Sequence, residues 1–107
     1  MYLMVIFLYK LEYLDEIVSI LTELGIDETS VIDGQSMSRY LAYEVPIFAG
    51  LRSHIKGRQS YTKIIISFTN DANAGEEILA LLKDSVTDSD LNEICKIGIV
   101  ELTKFLG

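Results

Sequence analysis

Tyr2-Leu3-Met4-Val5-Ile6-Phe7-Leu8-Tyr9 is an unbroken apolar run, and the spacing of apolar residues changes directly after it. Leu11, Leu14, Ile17, Val18, Leu21 and Leu24 recur at three- and four-residue intervals, the period of an amphipathic helix. Glu12, Asp15, Glu16 and Glu23 fill most of the opposite face. A buried strand followed by a helix over about residues 11–24 is the first unit, and Gly25 is placed to end that helix as its C′ residue. The apolar run is about half the length needed to span a bilayer. No basic residue precedes it and no small-residue cleavage site follows, so a strand is expected here, with neither signal peptide nor membrane insertion.

A second strand is expected at residues 30–35, carried by Val31 and Ile32. Tyr61-Thr62-Lys63-Ile64-Ile65-Ile66-Ser67-Phe68 is a third, rich in β-branched residues. Asn70 or Asp71 can cap a helix over about residues 72–85 whose buried side is Ile78, Leu79, Leu81 and Leu82, with Glu76 and Glu77 where the helix dipole favours acids. A polar stretch, residues 87–93, leads to a last strand over residues 97–105. The order β-α-β, long loop, β-α-β predicts one domain, residues 1–107, of α+β class: a ferredoxin-like βαββαβ sandwich with two helices on one face of a four-stranded antiparallel sheet. The first strand is apolar at every position from Leu3 to Tyr9, and the third nearly so at Ile64, Ile65 and Ile66, so both sheet faces need cover. Two helices cover one of them, and packing against other copies of the chain is expected for the other.

At 107 residues, half of them hydrophobic, the chain buries roughly 60 to 70% of its unfolded surface and needs no staples. The single Cys95 forms no internal bridge, which fits a reducing, cytoplasmic compartment. The net charge of −7 argues against a nucleic-acid partner.

Between the second and third strands the apolar pattern is lost over about 25 residues, 36–60, where connections beyond roughly 12 to 15 residues are usually functional or disordered. Only Ile47 to Ile55 looks capable of a short helix, opened by Pro46. Five bases, Arg39, Arg52, Lys56, Arg58 and Lys63, lie between Met37 and Lys63 against one acid, Glu44. That stretch carries +4 and the rest of the chain −11. A basic segment on an acidic body points to an anion or an acidic partner surface, and arginine forks match phosphate.

Chemistry of other kinds has little support. His54 is the only histidine, no serine or cysteine has a base at motif spacing, and no catalytic residue is assigned. Cys95 precedes an apolar strand and reads as an inert buried thiol. Asp88, Asp90 and Asn92 imitate the first ligands of an EF-hand, but Glu93 and Ile99 stand where its glycine and glutamate belong, so no metal site is assigned.

Lys10-Leu11-Glu12-Tyr13-Leu14-Asp15-Glu16-Ile17, Leu21-Thr22-Glu23-Leu24-Gly25-Ile26 and residues 29–35 resemble the first helix, its closing glycine and the second strand of the PII-like superfamily. These are trimeric ferredoxin-like signalling proteins, of which the nitrogen regulatory protein PII is the type. The resemblance makes residues 36–60 the counterpart of the long T-loop that contacts partner proteins. It implies a homotrimer that binds a small anion, an adenine nucleotide foremost, in subunit clefts lined by Gly34, Gln35, Arg39, Arg52, Lys56, Arg58 and Lys96. Ile47, Phe48 and Leu51 become candidates for docking a protein partner. Typical members open the loop with Gly-Phe-Gly-Arg, where this chain has Ser36-Met37-Ser38-Arg39, and hold phosphate on Gly-Asp-Gly-Lys, where it offers only Lys96. Divalent-cation-tolerance proteins share the implied fold and trimer. A ligand-free interaction trimer and a divalent-cation-binding protein are therefore the alternatives.

Overall fold

The computed structural model describes residues 1–54, 61–86 and 90–107, apart from the side chains of Leu51, Ser53 and His54. Strand β1 (Tyr2–Leu8) leads through a 3-10 turn (Leu11–Tyr13) into helix α1 (Leu14–Glu23). The chain ends α1 as its sequence requires. Gly25 takes φ +75° and donates its N–H to the Thr22 carbonyl at 3.0 Å, while the Ile26 N–H reaches the Leu21 carbonyl at 2.8 Å. These paired bonds satisfy the last carbonyls of the helix and put Ile26 beside Leu21 in the core.

Strand β2 (Thr29–Gln35) is followed by helix α2 (Met37–Glu44), a 3-10 segment (Pro46–His54), strand β3 (Tyr61–Thr69), helix α3 (Ala74–Ser85), a one-turn helix α4 (Leu91–Ile94) and strand β4 (Cys95–Glu101). The strands form one antiparallel sheet in the order β2-β3-β1-β4. The architecture is α+β and compatible with a ferredoxin-like fold.

Four boundaries differ from expectation, each for a local reason. The Leu11 turn is 3-10, so α1 begins at Leu14. Asp71 ties up the chain ahead of α3 by accepting from the Asn73 N–H at 2.8 Å, which delays the helix to Ala74. Asp90 caps α4 within the expected polar stretch, accepting from the Asn92 N–H at 3.1 Å. Strand β4 starts two residues early, at Cys95, and ends at Glu101.

Alternation in the sheet sorts the side chains into two faces. Met4, Ile6 and Leu8 of β1, Ile65 of β3 and Cys95 of β4 point to the helices and meet Ile17, Ile20 and Leu21 of α1 and Ala74, Ile78 and Leu82 of α3, all buried. On the same face the Thr29 and Ser67 hydroxyls bond to each other at 2.7 Å, and Lys63 is ion-paired to Asp33. The opposite face is apolar too. By register, Leu3 sits between Phe68 and Val100, Val5 beside Ile66, and Phe7 beside Ile64, which in turn neighbours Ile32. Phe7 is 42% exposed and Val100 58%. Phe105, beyond β4, stands edge-on to Phe68 with ring centres 5.2 Å apart.

The radius of gyration, 15.8 Å, exceeds the value of about 13 Å typical of a compact domain of this length. The described chain is a slab of 45 × 38 × 17 Å.

Candidate functional site

The segment between β2 and β3, expected to lack a pattern up to Pro46, begins with a helix. Ser36 is its N-cap, with extended backbone (φ −65°, ψ 154°) and a hydroxyl that accepts from the Arg39 N–H at 3.1 Å. Met37, Arg39, Leu41, Ala42 and Glu44 are good helix formers, so α2 follows from the cap. Pro46 ends it, because the residue before a proline is driven out of helical conformation. Val45 accordingly sits at φ −115°, ψ 107°. Proline at the head of the next segment is tolerated because its missing N–H is not needed there.

Pro46 has a further effect. An α-helical carbonyl accepts from the amide four residues on, and for Ala42 that residue is Pro46, which has no N–H. Arg52 fills the place: its Nε–H donates to the Ala42 carbonyl at 2.9 Å. Ala42 is fully buried where α2 and the 3-10 segment pack on each other. A cation at a helix C-terminus also meets the negative end of the helix dipole.

Arg39 and Tyr43 are four residues apart and share one side of α2. The Arg39 guanidinium carbon lies 4.5 Å from the Tyr43 ring centre and 4.2 Å from that of Tyr61, the first residue of β3. Arg52 approaches the Tyr43 ring as well, at 4.8 Å. Both guanidiniums therefore sit on tyrosine rings, held by cation–π attraction. Tyr61 pairs with Gln35 in the β2–β3 ladder, which brings the end of β2 to the same place. Gly34, next to it, is tightly packed: a Cβ there would stand 2.8 Å from Thr62 Oγ1 and 3.2 Å from Ile64 Cδ1.

Gly34, Gln35, Arg39 and Arg52 thus converge around Tyr43 and Tyr61. Lys96 does not join them. It lies on β4, at the other edge of the sheet from β2, three strand spacings or about 14 Å away, beside an open concavity of about 780 Å³ lined by Leu79, Val86, Leu91 and Ile97 among others. Lys56 and Arg58 lie outside the described residues. Of the docking candidates, Ile47 is 83% exposed and Phe48 42%, while the Leu51 side chain lies outside the description. Tyr43 and Tyr61 did not stand out in the sequence. The spacing of Arg39 and Tyr43 would have found the first, given the helix.

Ion pairs among the described residues include Lys10–Glu93, at 3.8 Å, and Lys63–Asp33. Neither Arg39 nor Arg52 has a carboxylate partner among them. Cys95 is buried, and that burial pushes its thiol above the ordinary range, which keeps it neutral and a poor nucleophile at physiological pH. No helix among the described residues is long and apolar enough to cross a membrane. The chain matches no protein-family model and no curated protein.

Proposed function

We propose that the chain is a PII-like regulatory protein of the cytoplasm, a homotrimer that binds a small anionic ligand, an adenine nucleotide foremost, and docks a protein partner through residues 36–60. The observation that carries this is the helical excursion between β2 and β3. It leaves the sheet at Gln35, presents two arginines with no carboxylate partner among the described residues, and exposes Ile47 and Phe48.

The apolar sheet face supports assembly. Leu3, Val5, Ile64 and Ile66 are half-buried and gain further cover when another copy packs on them, and about 25 cal/mol per Å² of buried apolar area favours that. In such an assembly Lys96 of one copy can approach the Arg39 site of another, which one chain alone does not allow. The ligand acts by fixing the position of the α2 and 3-10 pair, and so selects which partner it meets. No bond chemistry is involved.

Thermal unfolding against ATP, ADP, AMP, cyclic nucleotides and divalent cations tests the reading. A ligand at about one hundred times its Kd adds about 2.7 kcal/mol per site, a rise of several degrees for a domain of this size. A shift with one adenine nucleotide supports a ligand sensor. No shift with any of them leaves an interaction trimer whose segment serves only as a surface, and a shift with cations alone supports a cation-binding protein.

A further inference from the structure

Cation–π attraction holds a guanidinium over a ring without supplying an oxygen acceptor to its N–H donors. The Arg39 guanidinium lies over both Tyr43 and Tyr61, and its side chain donates no hydrogen bond to the described residues. Arg52 lies over Tyr43 and, among the described residues, gives only its Nε–H, to Ala42, so its terminal nitrogens meet no acceptor there. Both guanidinium carbons lie within 4.8 Å of the same ring centre, and no carboxylate among the described residues neutralises either.

Two planar forks over one ring, unneutralised by any carboxylate among the described residues, carry two positive charges and a set of directed donors. Tetrahedral phosphate oxygens fit such forks bidentately, and a phosphate monoester at neutral pH brings close to two negative charges. We infer that the Tyr61–Arg39–Tyr43–Arg52 stack is a binding site, complete within one subunit, for the phosphate dianion of a small phosphate monoester. The inference rests on the anion-binding reading above, but it puts the phosphate on the α2 surface of a single chain instead of in a cleft between copies. The rings supply rigidity: an arginine already held over them loses less side-chain freedom when it binds, which raises affinity.

Calorimetric titration of the full chain at pH 7.5 with glycerol phosphate, a monoester, and dimethyl phosphate, a singly charged diester, tests this. The monoester is expected to bind at least about tenfold more tightly. Arg39→Lys keeps the charge but loses the planar fork, and is expected to weaken monoester binding about tenfold or more. Tyr43→Leu should weaken it several-fold and Tyr43→Phe, which keeps the ring, should weaken it less, whereas Lys104→Gln, which removes a positive charge elsewhere, should leave it unchanged. If the wild type binds the monoester and Arg39→Lys and Tyr43→Leu bind it equally well, the stack is not the site, while the anion-binding reading stands. If the wild type binds a nucleotide but not glycerol phosphate, the single-chain site is overturned and cleft binding survives. Binding of neither overturns both.

Discussion

Arg52 donates its Nε–H to the carbonyl of Ala42, the acceptor that Pro46 leaves without an α-helical amide. A side chain ten residues away thus supplies the hydrogen bond the backbone cannot. The bond fastens the 3-10 segment to α2 and fixes the stem of an arginine whose outer nitrogens bond to no other described residue.

Removing Arg52 should loosen α2 through this bond. Arg52→Ala is expected to lower the protection of the α2 amides in hydrogen exchange by about 1 kcal/mol, with the sheet amides unchanged. Pro46→Ala restores an amide opposite Ala42, so Arg52→Ala should have a smaller effect in that background. Equal effects in both backgrounds would show that the bond does not act through the missing amide.

Gly34→Ala should destabilise the β2–β3 edge. The new methyl meets Thr62 Oγ1 at 2.8 Å and Ile64 Cδ1 at 3.2 Å, so one of them must shift. Overpacking of this kind typically costs about 1–3 kcal/mol, readable in urea unfolding. Thr62→Ala in the same chain should return part of it.

Assembly through the open sheet face should fail when that face is charged. Phe7 is 42% exposed in the single chain, so Phe7→Asp should leave the fold of one copy largely intact. Light scattering after size exclusion is expected to give one chain mass, 12.0 kDa, for the variant and three times that for the wild type. A wild-type protein that runs as a monomer would remove the trimer from the proposal.

Cys95 makes a statement about alkaline stability. Burial raises its thiol pKa in the folded chain, so above the ordinary thiol range, about pH 8.5, the unfolded chain gives up its proton first. The folded state is then disfavoured increasingly as pH rises toward the folded-state pKa, and the contribution is intact below that window. Cys95→Ala should flatten this part of the stability–pH curve. A thiol reagent should modify Cys95 at the rate of unfolding and no faster.

The sequence made much of the fold legible because burial there has a period. The apolar rows of β1, α1, β3 and α3, and Gly25 at the end of α1, are read from spacing alone. α2 was not legible for the same reason. Of its residues Ala42 alone is buried, while Met37, Tyr40 and Tyr43 are exposed, so Met37, Tyr40, Leu41 and Tyr43 follow no stripe long enough to detect, and its one clear sign is the Ser36 cap. At the site, charge was visible and company was not. Arg39 and Arg52 stood out as bases, but Tyr61 reaches Arg39 only through strand pairing, and Arg52 reaches Ala42 only because of Pro46. Lys96 entered through resemblance, and the sheet sets it at the far edge.

Both alternating rows of β1 are oily: Met4, Ile6 and Leu8 under the helices, Leu3, Val5 and Phe7 on the other side. A slip of one residue in strand pairing exchanges such rows, and hydrophobicity alone would scarcely object. What marks the right alignment is polar and sits on β2 and β3: the Thr29–Ser67 hydroxyl pair, the Asp33–Lys63 ion pair, and the space at Gly34 that only a bare backbone fits. These few positions act as the frame markers of an otherwise ambiguous text, and errors in reading it while the chain folds would begin where they are lost.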